Sequence, residues 1–92
     1  MSTLGGYSAF SAELSNEAKL AFADALEHFV GVEYQPVAVA TQVVAGTNFA
    51  FFCNASVVAP NSSTYPAIVH VFRSLEGKAS ITHIEQVSTV LR

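Results

Sequence analysis

The sequence predicts an α+β fold: a single helix packed in a curled antiparallel β-sheet of four to five strands. Three observations lead there. A stretch near the N-terminus carries apolar residues at three- and four-residue spacings, the chain after Gly31 is rich in β-branched and aromatic residues, and its strand-like runs are joined by turns too short for parallel crossovers. One helix ahead of four consecutive strands makes no βαβ unit, so the economical arrangement lays the helix on one face of the sheet. With 92 residues, the chain (1–92) reads as a single domain that needs one compact core.

Residues 1–10 are small, Gly-containing and weakly patterned, and read as a mobile arm. The helix follows. Leu14, Ala18, Ala21, Phe22, Ala25, Leu26 and Phe29 mark one face, and Glu13, Glu17, Asp24, Glu27 and Lys19 fill the other. Ser11 or Ser15 serves as N-cap, the early acids suit the positive end of the helix, and Val30-Gly31 supplies a stop. The expected span is about 12–30. Its small Ala side chains let a sheet approach closely.

The first strand alternates Val37, Val39, Thr41 and Val43 with Ala38, Ala40, Gln42 and Val44, and Ala45-Gly46 interrupts it. A second strand is expected over Thr47 to Val58, with Phe49, Phe51, Phe52, Val57 and Val58 supplying bulk. The cluster Ala59-Pro60-Asn61-Ser62-Ser63 is a turn signal. A third strand covers Ala67 to Ser74, Glu76-Gly77 turns the chain, and a fourth covers Ala79 to Val90. Pro66 falls at the start of a strand, where its missing donor is tolerated.

Composition narrows the function. Four Lys and Arg face seven Asp and Glu for a formal net charge of −3, so no basic cluster exists to neutralise phosphates or attach to an anionic membrane surface. The longest apolar run is far short of the roughly 18–20 residues that cross a bilayer. The single cysteine, Cys53, excludes an internal disulfide and two-Cys metal or redox motifs. Met1-Ser2-Thr3-Leu4-Gly5-Gly6 lacks the charged and apolar regions of a signal peptide, so the expected setting is reducing and cytoplasmic.

No catalytic constellation emerges, and the chain is not expected to be an enzyme. Cys53 lies in the Phe-rich run Phe49-Ala50-Phe51-Phe52-Cys53 and reads as a small buried hydrophobe. His28 ends the polar side of the helix, in solvent. His70 and His83 lie in adjacent strands and are candidate cross-strand neighbours, but Glu85 is the one further ligand nearby, so neither a metal nor a cofactor is expected.

The most informative stretch is Thr41-Gln42-Val43-Val44-Ala45-Gly46-Thr47-Asn48-Phe49, between two long strands. Its core, Gln42-Val43-Val44-Ala45-Gly46, resembles the Gln-x-Val-x-Gly hairpin of the cystatins, and Thr41, Thr47, Asn48 and Phe49 match the stefin branch, the small cystatins without disulfides. Leu4-Gly5-Gly6 resembles the N-terminal glycine arm of that family, and Val71-Phe72-Arg73-Ser74-Leu75-Glu76-Gly77 resembles the second binding hairpin of the stefins. The resemblance covers nearly the whole chain in the right order.

That resemblance implies reversible, tight-binding inhibition of a papain-like cysteine protease. The implied contacts are Leu4, Gly5 and Gly6 in the arm, Gln42, Val43, Val44, Ala45 and Gly46 in the first hairpin, and Leu75, Glu76, Gly77 and Lys78 in the second. The residue chemistry agrees. A hairpin tip held by its strands makes a rigid wedge, and Val43-Val44-Ala45 presents compact apolar surface with little side-chain entropy to lose. Gln42 is expected to brace the hairpin. Gly46 permits a backbone turn that a Cβ would obstruct and lets the tip approach another backbone closely, and Gly46→Glu is expected to weaken binding strongly while leaving the melting temperature nearly unchanged. Glu76 places a hydrated charge where the family presents apolar surface, implying a contact that is weaker or suited to a basic partner. The alternative is a non-inhibitory interaction module of the same fold that assembles with itself or another protein; opening of the Val-rich hairpin allows strand exchange, so the expected state is a monomer or a domain-swapped homodimer.

Overall fold

The computed structural model describes residues 6–61 and 63–87. Helix α1 spans Asn16–Ala25 and is followed by β1 (Val32–Val44), β2 (Gly46–Val57), β3 (Thr64–Arg73) and β4 (Ala79–Gln86). The strands form one antiparallel sheet in the order β1-β2-β3-β4, so each pairs with its neighbour in sequence. The helix packs on one face of this curled sheet, the α+β arrangement that the periodicities predict.

Alternation decides which face carries the core. Phe49, Phe51 and Cys53 of β2 and Ala67, Val69 and Val71 of β3 point toward the helix and are buried. Ala18 and Ala21 meet them from α1, with Leu14, Phe22, Ala25 and Leu26 packed around. Phe22 meets Phe51 edge-on at 4.8 Å between ring centroids, a favoured aromatic geometry. With Ala at the closest positions, the helix backbone comes near the sheet while the Phe rings fill the space between.

The helix is shorter than the expected 12–30. Ser15 is its N-cap, accepting from the Ala18 N–H through its hydroxyl (3.1 Å), so the helix starts only where that bond forms. It ends at Ala25, with Leu26 as C-cap rather than Gly31. Leu26 and Phe29 continue the apolar spacing beyond the helix, but Phe29 packs against Tyr34 from the connection that follows the turn at 26–28. Gly31 instead opens β1, its carbonyl accepting from the Val58 N–H at 3.0 Å.

β1 begins at Val32, five residues before the strand pattern is recognisable in sequence, and passes through Pro36. The register shifts between Pro36 and Ala38, with Val37 as the extra residue, so a bulge sits directly after the residue lacking a donor. β3 begins at Thr64 with Pro66 inside it. The Pro66 carbonyl accepts from Val87 N–H at 3.0 Å, beyond Gln86 and its partner Ala67, so the missing donor falls where the β4 ladder has ended. β4 ends at Gln86 rather than Val90, and residues 88–92 lie outside the described chain.

The N-terminal segment is more structured than the expected mobile arm from Ser8 onward. Ser11 and Val39 exchange backbone hydrogen bonds of 2.9 Å in both directions. Ser8 N–H donates to Thr41 O at 2.8 Å, and Thr41 N–H donates to Ser8 Oγ at 3.0 Å. Phe10 crosses to the face away from the helix, its ring edge-on to Phe52 at 6.3 Å.

Candidate functional site

Register places the two hairpin connections at one end of the sheet. Val43 pairs with Thr47, Thr47 with Arg73, and Arg73 with Ala79, so one row crosses all four strands. Beyond that row lie the β1–β2 bend at Val44-Ala45-Gly46 and the β3–β4 turn at Ser74 to Lys78. The N-terminal segment runs antiparallel to β1, from Ser11 beside Val39 to Ser8 beside Thr41. Its direction leads Gly6 toward the same end. Leu4 and Gly5 lie outside the described residues.

The first bend is as tight as a hairpin allows: Val44 pairs with Gly46, leaving Ala45 alone between them. Val43 is 77 % exposed, and Val44 and Ala45 are also exposed, an apolar tip lifted into solvent by two long strands. Gln42 braces it from below, its Oε1 accepting from Asn48 Nδ2 at 2.8 Å across the pair Gln42 and Asn48. The sequence suggests a brace at Gln42; its partner, Asn48, follows only from register.

Gly46 requires a correction. It is buried, with φ +115°, and a Cβ there would lie 2.5 Å from Arg73 O and 2.8 Å from the Phe72 ring. Gly46 is therefore needed by the fold, and substitution there costs stability, against the expectation of an unchanged melting temperature. The signals present in sequence, Phe72 and Arg73, are far from Gly46 along the chain and meet it only through the β2–β3 pairing.

The second turn presents Leu75, 82 % exposed, beside exposed Glu76, Gly77 and Lys78. Ser74 N–H donates to Lys78 O (2.8 Å) and Gly77 N–H donates to Ser74 O (2.9 Å), closing the turn. Asp24 at the end of α1 accepts from Ala79 N–H through Oδ2 at 3.0 Å, fixing the start of β4 against the helix.

Away from this end, Cys53 is fully buried and its thiol is pushed up to about 12 from the usual 9.0 by desolvation. It stays protonated at neutral pH and donates weakly to Phe51 O at 3.4 Å, which fits a packing residue and not a nucleophile. His28 is exposed beyond the helix end. His70 and His83 are cross-strand partners with rings stacked at 4.0 Å, and Glu85 joins them with Oε1 3.0 Å from His70 Nε2. This trio lies on the face away from the helix, about three residues from the row at Arg73, on the order of 10 Å along the strand.

No family model, no curated protein and no solved structure matches the chain in comparison.

Proposed function

We propose that the chain is a stefin-like member of the cystatin superfamily: a reversible, tight-binding inhibitor of papain-like cysteine proteases that covers the catalytic cleft without a covalent step. The observation that carries the reading is the common end shared by the exposed Val43-Val44-Ala45 tip, the exposed Leu75-Glu76-Gly77-Lys78 turn and the N-terminal segment directed toward it. Neighbouring strands are about 4.8 Å apart, so a rim spanning that segment and four strands is on the order of 20 Å long, the length of about six residues of extended peptide. A convex edge of that length fits a groove built to hold a peptide substrate. Its backbone is already ordered by the sheet, which lowers the entropy lost on binding. Each contact is small, and together they approach the roughly 800 Å² per partner of a standard interface.

The test is hydrolysis of a fluorogenic peptide by papain in the presence of the full chain. Competitive loss of activity at sub-micromolar protein is expected. Undiminished hydrolysis at micromolar concentrations of folded protein with an intact N-terminus overturns the reading.

A second reading, a non-inhibitory strand-exchanging module, draws on the same bend. β1 and β2 are 13 and 12 residues long and only Ala45 joins them. A hinge this short between two long strands favours exchange with a second copy, in which β1 runs straight into β2.

A further inference from the structure

The cluster of His70, His83 and Glu85 is assembled by a defect in the β3–β4 ladder. Near the turn the strands pair Arg73 with Ala79, Phe72 with Ser80 and Val71 with Ile81. A regular continuation would set Thr82 opposite His70. The register instead shifts between His70 and Val71, Thr82 becomes the extra residue, and His83 faces His70. Glu85, two residues on, shares that face. The nitrogen and oxygen ligand atoms of the three side chains lie within 4.8 Å of one another, with Glu85 Oε1 3.0 Å from His70 Nε2 and 3.9 Å from His83 Nε2.

The bulge residue also orients a ligand. The Thr82 hydroxyl donates to His70 O at 3.2 Å, so its oxygen is left to accept, and His83 Nδ1 lies 3.4 Å away. An Nδ1–H on His83 satisfies that oxygen and leaves the Nε2 lone pair directed to the side where Glu85 lies. An imidazole whose far nitrogen is held by an outer partner is the usual arrangement of a metal-ligating histidine.

We propose that His70, His83 and Glu85 form a binding site for one divalent transition cation of the zinc class, on the sheet face opposite the helix. Two imidazoles and one carboxylate match the donor preferences of such ions and are too poor in oxygen for calcium or magnesium. Zinc bonds of 2.0–2.2 Å in tetrahedral geometry place ligand atoms roughly 3.3 Å apart, so the three donors need move by little more than about 1 Å. His70 is 18 % exposed and held by packing, whereas His83 and Glu85 are 60 % and 55 % exposed and free to adjust by side-chain rotation. The open side leaves the fourth position to water. Binding links β3 to the edge strand β4 and raises stability by mass action.

The experiment is calorimetric titration of the untagged full chain with Zn²⁺ at pH 7.5, paired with thermal melts. One site per chain, a rise in melting temperature, and at least tenfold loss of affinity in His83→Asn and in Glu85→Gln are expected. Both substitutions are at exposed positions, so the apo proteins should melt with the native one. His28→Asn, at the remaining histidine, should bind as the native chain does. Absence of zinc binding, a loss smaller than tenfold in both site variants, or an equal loss in His28→Asn overturns the proposal. No protease enters this assay, so its outcome is independent of the inhibitor reading.

Discussion

At the residue scale, Gly46 and Val43 are three positions apart and do opposite work. Gly46 is buried at positive φ with the Arg73 carbonyl against it, while Val43 projects from the tip into water. Fold and contact are thus separable by mutation within a single hairpin. Gly46→Ala adds both a strained left-handed backbone and a clash with main chain that cannot rotate away. Its expected cost is roughly 2–4 kcal/mol, a melting temperature lower by about 8 °C or more for a domain of this size. Val43→Asp removes little buried surface and should change stability by less than about 0.5 kcal/mol. The same change should weaken papain inhibition by tenfold or more, since a charge at the tip must be desolvated in the cleft. Melting curves and inhibition constants for the two variants check both halves. A stable Gly46→Ala chain would show that the bend relaxes, and unaltered inhibition by Val43→Asp would remove the tip from the contact.

At the element scale, the strands were legible because alternation and burial coincide: the residues that alternate in β2 and β3 are the ones the helix covers. The helix was legible as a face but not in extent, since Leu26 and Phe29 keep its spacing after the backbone has left it. Cross-strand facts were legible only in part: His70 and His83 could be read as neighbours on adjacent strands, but not the register that sets them face to face. The bulge at Thr82 shifts His83 opposite His70, and no spacing rule places a bulge in advance. The pairing of Ser8 to Ser11 with β1 was hidden for a similar reason, as all its bonds but that to Ser8 Oγ join backbone groups that any sequence carries. That pairing links fold to the proposed site, because it directs the chain at Gly6 toward the rim. Ser11→Pro deletes the N–H that bonds Val39 O and leaves the reciprocal bond unsupported. A destabilisation of about 1 kcal/mol is expected. Faster amide hydrogen exchange at Val39 should accompany it, with weaker inhibition as the arm loses its direction. Unchanged Val39 exchange would show that the segment does not depend on this bridge.

At the scale of the whole molecule, the order β1-β2-β3-β4 forces both connections at this end, β1–β2 and β3–β4, to share a rim, because every strand reverses the last. The rim is therefore a consequence of topology, and only the tip residues are free to be chosen for a partner. The same topology contains its own antagonist. Strand exchange replaces the bend at Ala45 with continuous strand while preserving the ladders of Val32 to Val44 with Gly46 to Val57 and the buried core. A swapped dimer keeps nearly all of the contacts of the monomer, relieves the tight bend, and loses the Val43-Val44-Ala45 wedge. On the proposed reading, inhibition and dimerisation exclude one another at this hinge. Chain concentrated and warmed near its melting temperature, then separated by size, should give a dimer with native circular dichroism and no inhibition of papain, beside a monomer that inhibits. Lengthening the hinge by replacing Ala45 with Asn-Gly should reduce the dimer fraction, since a two-residue turn of that type closes a hairpin without strain. A dimer that inhibits as well as the monomer would mean that the tip survives assembly, and the bend at Ala45 would then not be the point of exchange.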